Sequence, residues 1–142
     1  MNKVTRTGTH EIRYEDETGF IVIMHVGTMG PEDVLVMAKA IEDYSKLAPP
    51  GDPAYILADN RYATAMSREA RQVIAKTGFV SGEAYVVVFG APFAYRVILN
   101  LVFRAVALTT DKMKAIAISE EAEAREWLED KRRAFIARKT KA

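Results

Sequence analysis

The sequence predicts an α/β fold: a single-layer mixed β-sheet of about five strands, with an N-terminal β-hairpin and four helices. Three observations support this prediction. An apolar strand at Ala84–Phe89 runs into a nearly wholly apolar helix at residues 92–108. Two strand-like runs near the N-terminus flank a turn, which is typical of a hairpin. Strand and helix patterns then alternate along the chain, which indicates right-handed crossovers between parallel strands.

The predicted hairpin occupies residues 10–16 and 20–26. Apolar and charged side chains roughly alternate in residues 10–16, as they do in a half-exposed strand. Residues 20–26, FIVIMHV, form a continuous apolar run of strand length. Gly19 ends the turn between the two runs. Residues 1–9 show no periodicity, and we expect them to form a flexible leader.

Proline and small polar residues mark the helix starts. Pro31 is followed by two carboxylates, which favour the positive end of a helix dipole. Ser67 is placed to cap a helix at residues 68–76, which follows a short apolar strand at residues 55–58. Ser119 is placed to cap the final helix, whose first turn is acidic and whose end is basic.

Length and composition limit the function. The 142 residues are enough for one domain with a substantial core, which we place at residues 10–137, followed by a basic tail at residues 138–142. The net charge of +1 argues against a dedicated nucleic-acid binder. No cysteine is present, so no disulfide, thiol nucleophile or thiolate metal site can form. This composition fits a cytoplasmic protein.

We expect no transmembrane segment. The N-terminal residues lack the apolar core of a signal peptide. The helix at residues 92–108 contains two arginines, and an arginine at the bilayer centre costs about 2.5–3.5 kcal/mol. We therefore interpret it as a buried helix, which leaves a peripheral membrane contact open. Its three polar residues form a narrow stripe that fits either a phosphate-binding row or the solvated edge of a buried helix: Arg96, Asn100 and Arg104.

Few residues suggest chemistry. His10 is expected to be exposed and His25 partly buried, and neither has a partner at metal-ligand spacing, so we predict no metal and no cofactor. Asp59 and Arg61 follow the predicted strand at residues 55–58, where α/β folds place ligands. They could form a ligand edge, or Asp59 could simply cap the following turn.

Two segments resemble a known family: VVVFGAPFAYRVILNLVFRA and AIAISEEAEAREWLEDKR. The hairpin–helix opening and the segment ILADNRYATAMSREAR support the resemblance, which covers roughly residues 10–135. The chain resembles the SpoIIAA-like, STAS-domain-like proteins, an uncharacterised bacterial group also called STAS/SEC14-like. The resemblance implies a phosphorylatable serine at the start of the helix after the third strand. Ser67 lies in a similar place, although Met66 precedes it where the family has an aspartate.

The leading hypothesis is a non-enzymatic protein-interaction or regulatory module that forms a homodimer. A helix on one sheet needs an apolar arc of somewhat over ~100°, but the helix at residues 92–108 is apolar nearly all round. The alternative, implied by SEC14-type folds, is a carrier of a small apolar ligand or lipid. A minor enzymatic role for Asp59 or His25 is the remaining hypothesis. The residues predicted to form the dimer contact or the pocket wall are Tyr95, Leu99, Val102, Phe103 and Val106.

Overall fold

The structure, a computed structural model, describes residues 3–77 and 82–141. Strands and helices alternate after an initial run of three strands, as the sequence predicts for an α/β fold with four helices. The strands of the described residues are β1 (Val4–Thr7), β2 (His10–Glu15), β3 (Phe20–Met29), β4 (Ala54–Met66), β5 (Ala84–Phe89) and β6 (Met113–Ile118), and the helices are α1 (Pro31–Ser45), α2 (Arg68–Thr77), α3 (Phe93–Ala107) and α4 (Glu121–Lys141).

The sheet is mixed, and its strands lie in the order β1-β2-β3-β4-β5-β6. The first three strands pair antiparallel, and β3 to β6 pair parallel. The described sheet has six strands rather than about five, because part of the expected leader forms β1. This strand pairs with β2 and is fixed to α1 by two side-chain hydrogen bonds, Thr5 Oγ1 to Tyr44 Oη at 2.6 Å and Thr7 Oγ1 to Asp33 Oδ1 at 2.8 Å.

The helices cover the two faces of the sheet unequally. Each parallel strand is added at the same edge of the sheet, so right-handed crossovers place α1, α2 and α3 on one face, here called the three-helix face. Helix α4 packs on the opposite face, here called the α4 face, where Ala124 and Leu128 meet side chains of β3, β4 and β5. The sheet therefore has a core on each side.

Strand β4 is much longer than the short strand predicted at residues 55–58. Its first half pairs with β5, and its second half pairs only with the end of β3. The register shifts between Met24 and Val26, where β4 carries an extra residue between Asp59 and Tyr62. This bulge lies beside His25 and brings the polar residues of both strands together.

Helix α4 also continues further than expected, because residues 138–141 of the predicted basic tail belong to it. Arg138 Nη2 lies 3.2 Å from Tyr85 Oη, and Lys139 Nζ lies 3.2 Å from Asp52 Oδ1. The end of α4 is therefore fixed to the amino-terminal ends of β4 and β5. Among the described helices, none is both long and apolar enough to cross a membrane.

Candidate functional site

The predicted ligand edge is occupied by a tight ion pair. Asp59 is buried on the α4 face of β4, and its carboxylate accepts hydrogen bonds from Arg61 Nη2 at 2.7 Å, from Nε at 3.1 Å and from the Arg61 backbone N–H at 3.0 Å. Burial alone would raise the pKa of Asp59, but these hydrogen bonds outweigh burial and hold the pKa below its usual value. The Arg61 guanidinium also lies 5.5 Å from the centre of the Phe89 ring.

This geometry leaves Asp59 little capacity for acid–base chemistry. Its carboxylate is ionised, and Arg61 already supplies its hydrogen bonds. An aspartate that bonds the backbone two residues further on typically stabilises a local turn of the chain. The sequence analysis expected the strand to end at Asp59, but β4 continues past it to Met66. Asp59 pairs with Phe89, the last residue of β5. The exposed side of Arg61 remains accessible from solvent.

His10 is buried, so the expectation that it is exposed is wrong. Its Nδ1 accepts a hydrogen bond from the Val26 N–H at 3.2 Å, and its Nε2 donates to the Thr28 carbonyl at 3.2 Å. The same Nε2 lies 3.5 Å from Asp33 Oδ2 at the start of α1. His10 therefore links β2, β3 and α1, and its burial follows from the presence of these neighbours.

His25 is buried more deeply than expected, on the three-helix face of β3. Its ring centre lies 5.5 Å from that of His10, with an angle of 69° between the rings. Burial, and secondarily His10, lower the pKa of His25 to about 3, although Asp59 and Asp33 act in the opposite direction. The imidazole is therefore neutral at physiological pH, and its Nδ1 has no hydrogen-bond partner in the described part of the chain.

Acidification from pH 7 to pH 5 should lower the free energy of unfolding by about 2 kcal/mol through His25. In the unfolded chain His25 binds a proton near its ordinary pKa of 6.5, whereas in the folded chain it stays neutral down to about pH 3. Stability is therefore complete above pH 6.5 and is lost as the pH falls towards 3. Urea denaturation at pH 7 and pH 5 measures the effect.

The matched variant for this experiment is His25→Leu, which removes the titrating ring. We expect its stability to change less between the two pH values than that of the natural sequence. The carboxylate of Asp59, whose pKa is lowered, contributes only below about pH 4 and stays outside this window. An equal loss in both proteins would contradict the assignment to His25.

Helix α3 turns a different face to solvent than the sequence analysis expected. Four of the five predicted contact residues are buried against the sheet, and Phe103 is half-buried against the same core; the four are Tyr95, Leu99, Val102 and Val106. The four buried residues pack inside the chain and leave almost no surface for the predicted dimer contact. The alternative role of the five residues as a pocket wall stays a prediction. The large apolar residues that α3 does expose are Phe93 (73% exposed), Val97 (45%) and Leu101 (57%).

These three residues, here called the outer stripe, follow each other at intervals of four and so lie on one side of α3. Sequence analysis missed them because they have the same apolar character as the buried residues. The polar residues Asn100 and Arg104 are exposed beside the stripe, and the Arg96 guanidinium lies 5.8 Å from the Phe93 ring centre. This placement fits the solvated edge of a buried helix.

Ser67 has the geometry of an N-cap. Its Oγ accepts the Ala70 N–H at 3.0 Å, and its carbonyl accepts the Arg71 N–H at 3.0 Å. The Ser67 N–H in turn donates to the Met29 carbonyl at 2.9 Å, so the cap joins α2 to the end of β3. Phosphorylation of this partly exposed serine stays a prediction.

A small buried cavity of about 40 Å³ lies between the three-helix face of the sheet and α3. Leu99 and Phe103 line it, but Tyr95, Val102 and Val106 do not. Drug-sized ligands occupy several hundred Å³, so this cavity is too small for a lipid. Sequence analysis did not single out Asn60, which also lines the cavity and whose Oδ1 has no hydrogen-bond partner in the described residues.

No cluster of three or more histidine, cysteine, aspartate or glutamate side chains in the described residues could hold a metal ion. The sequence analysis predicted no metal from the spacing of the two histidines. The structure now gives each of these histidines a different surrounding: His10 is bonded to backbone groups, and His25 lines the buried cavity.

Comparisons with known proteins give one similarity. No protein-family model matches the chain, and no curated protein matches it. Among solved structures, the chain is similar to an uncharacterized protein from the DUF3478 family with a SpoIIAA-like fold, from Shewanella loihica PV-4. The identity is 17% and the TM-score 0.47, over 90% of this chain and 92% of that chain. The description of that protein names the same fold that the sequence resembles.

Proposed function

We propose that this protein is a non-enzymatic interaction module of the bacterial cytoplasm, and that two copies associate through the outer stripe of α3. The observation that supports the proposal is the exposure of Phe93, Val97 and Leu101 on one side of a single helix. Single exposed apolar residues are ordinary on protein surfaces, but a contiguous row of large ones is typical of an interaction site.

The surroundings of the polar residues support a non-enzymatic role. A catalytic base must be free to take up a proton from a substrate. The Asp59 carboxylate is instead saturated by Arg61, and both ring nitrogens of His10 are bonded to backbone groups. Burial holds the pKa of His25 at about 3, well below the range useful for general-base catalysis at neutral pH.

The outer stripe is self-complementary, which favours a second copy of this chain as the partner. In a two-fold dimer with antiparallel α3 helices, an axis between Val97 and Leu101 places each of these residues opposite the other one in the second copy. The same axis places the large side chain of Phe93 opposite the small side chain of Ala105 of the second copy, so the two can pack without a clash. Arg104 then faces Ala94 of the second copy.

A Leu101→Glu substitution tests this contact by placing a charge next to the proposed two-fold axis. We expect the natural protein to be a dimer and the variant a monomer, because the dimer would have to bury two unpaired carboxylates. Size-exclusion chromatography with light scattering measures the mass of each species. The helical circular dichroism of the variant should be unchanged, because Leu101 is exposed in the single chain and does not contribute to its core.

The matched control is Leu35→Glu. Leu35 lies on α1 and is 61% exposed, nearly the same as the 57% of Leu101, but it lies outside the outer stripe. We expect this variant to remain a dimer. A natural protein that is monomeric at high concentration, or a dimer that survives Leu101→Glu, would overturn the proposal.

A further inference from the structure

The residues that line the buried cavity are mostly apolar, but two of them, His25 and Asn60, each carry a buried polar atom without a partner in the described residues. The cavity lies between the sheet and α3, and eleven of its thirteen lining residues are buried. His25 is 6% exposed and Asn60 is 1% exposed. His25 Nδ1 and Asn60 Oδ1 make no hydrogen bond in the described part of the chain, although both residues line the cavity.

Such atoms call for an explanation, because buried polar side-chain atoms in proteins nearly always have a hydrogen-bond partner. His25 and Asn60 lie on neighbouring strands, beside the bulge between β3 and β4, and both belong to the three-helix face. The bulge thus brings both residues to the wall of one cavity.

We propose that the cavity binds a small uncharged molecule with one hydroxyl group on an apolar body of a few carbon atoms. The hydroxyl donates its proton to Asn60 Oδ1, and its oxygen accepts a hydrogen bond from the Nδ1–H of His25. The apolar body lies against the remaining wall, which includes Ile56, Val86, Val88 and Leu99. A charged ligand is disfavoured, because no charged side chain lines this cavity in the described residues and the imidazole is neutral.

The size of the cavity sets the size of the molecule. A water molecule needs about 10–15 Å³ of cavity volume. A cavity of about 40 Å³ therefore accommodates only a few non-hydrogen atoms. The wall can adapt somewhat, because Met29, Met66 and Met113 contribute flexible, unbranched side chains. Met66 and Phe103 are partly exposed, so the cavity comes closest to solvent at these two residues.

The three methionines also provide the experiment. In protein labelled with ¹³C at the methionine methyl groups, 1-butanol should shift the signals of Met29, Met66 and Met113 in a saturable way. Met24 and Met37, which do not line the cavity, should stay unchanged. Diethyl ether has the same formula but no O–H donor, and we expect it to bind about ten-fold more weakly, the effect of one hydrogen bond.

Two variants separate the polar and apolar contributions. Asn60→Leu should remove the preference for 1-butanol over ether, and Ala58→Val, which fills part of the cavity, should abolish binding of both. If a variant fails to fold, the comparison of 1-butanol with diethyl ether in the natural protein still tests the proposal. Shifts that do not saturate, or equal binding of alcohol and ether, would overturn the proposal and leave water as the partner of these atoms. The result is independent of the dimer contact, because the outer stripe does not line the cavity.

Discussion

A Gly90→Ala substitution is expected to lower the free energy of unfolding by about 2–5 kcal/mol. Gly90 joins β5 to α3 with a φ of +82°, a conformation that costs alanine about 1–2 kcal/mol. A Cβ atom at this position would also lie 2.4 Å from Arg61 Cγ and 3.2 Å from the Arg61 backbone nitrogen. Overpacking of this kind adds about 1–3 kcal/mol. Chemical denaturation measures the loss.

Gly51→Ala is the matched control for the backbone part of this effect. Gly51 has a similar φ of +88°, but an added Cβ would meet nothing within 4 Å. Its substitution should therefore cost only the conformational part, about 1–2 kcal/mol. The difference between the two variants measures the close approach of Arg61. Equal losses would show that Arg61 moves away without cost, and would contradict the expected clash.

A Leu128→Ala substitution is expected to cost about 2–5 kcal/mol, the range for a fully buried leucine. Leu128 has no solvent exposure and, with Ala124, forms the apolar contact of α4 with the sheet. The cavity that the substitution leaves should loosen α4 before the rest of the domain. Denaturation measures the global loss, and hydrogen exchange of the α4 amides measures the local one.

Ile136→Ala is the control on the same helix. Ile136 is exposed, so its truncation should change the stability by no more than about 0.5 kcal/mol. If both variants lost the same stability, the loss could not be assigned to the contact of Leu128 with the α4 face, because alanine favours a helix at both positions. If Leu128→Ala left the amide exchange of α4 unchanged, α4 would be held mainly by its ion pairs.

The parts of the fold that follow from strong apolar patterns were predicted well. The bounds of strand β5 and helix α3 agree with the sequence analysis to within a residue. A short continuous apolar run followed by a longer one is compatible with few secondary structures other than a buried strand and a buried helix. Strand β1 and the second half of β4 were missed. Strand β1 is largely polar, and the second half of β4 mixes polar and apolar residues without a continuous apolar run. Both become strands because a neighbouring strand supplies the hydrogen bonds.

The candidate sites were predicted less well, for two physical reasons. An almost wholly apolar helix does not reveal which side meets the sheet, so Leu99 and Leu101 could not be told apart from the sequence. The burial of His10 depends on neighbours that come from β3 and α1, among them Asp33. The residues around the buried cavity meet through a β-bulge, and nothing in the polar sequence at Asn60 predicts one.

The order of the strands has a consequence for how the molecule folds. Each strand pairs with its neighbour in the chain, so every new strand closes only a short loop and the entropic cost stays low. Contacts of α4 are the exception: Arg125 pairs with Glu15 across 110 residues, and Arg132 donates to the Thr18 carbonyl. The buried Phe20 lies beneath both arginines. Until α4 docks, the apolar side chains on the α4 face of the sheet stay uncovered. Docking of α4 therefore limits the time during which the folding chain can aggregate through this face.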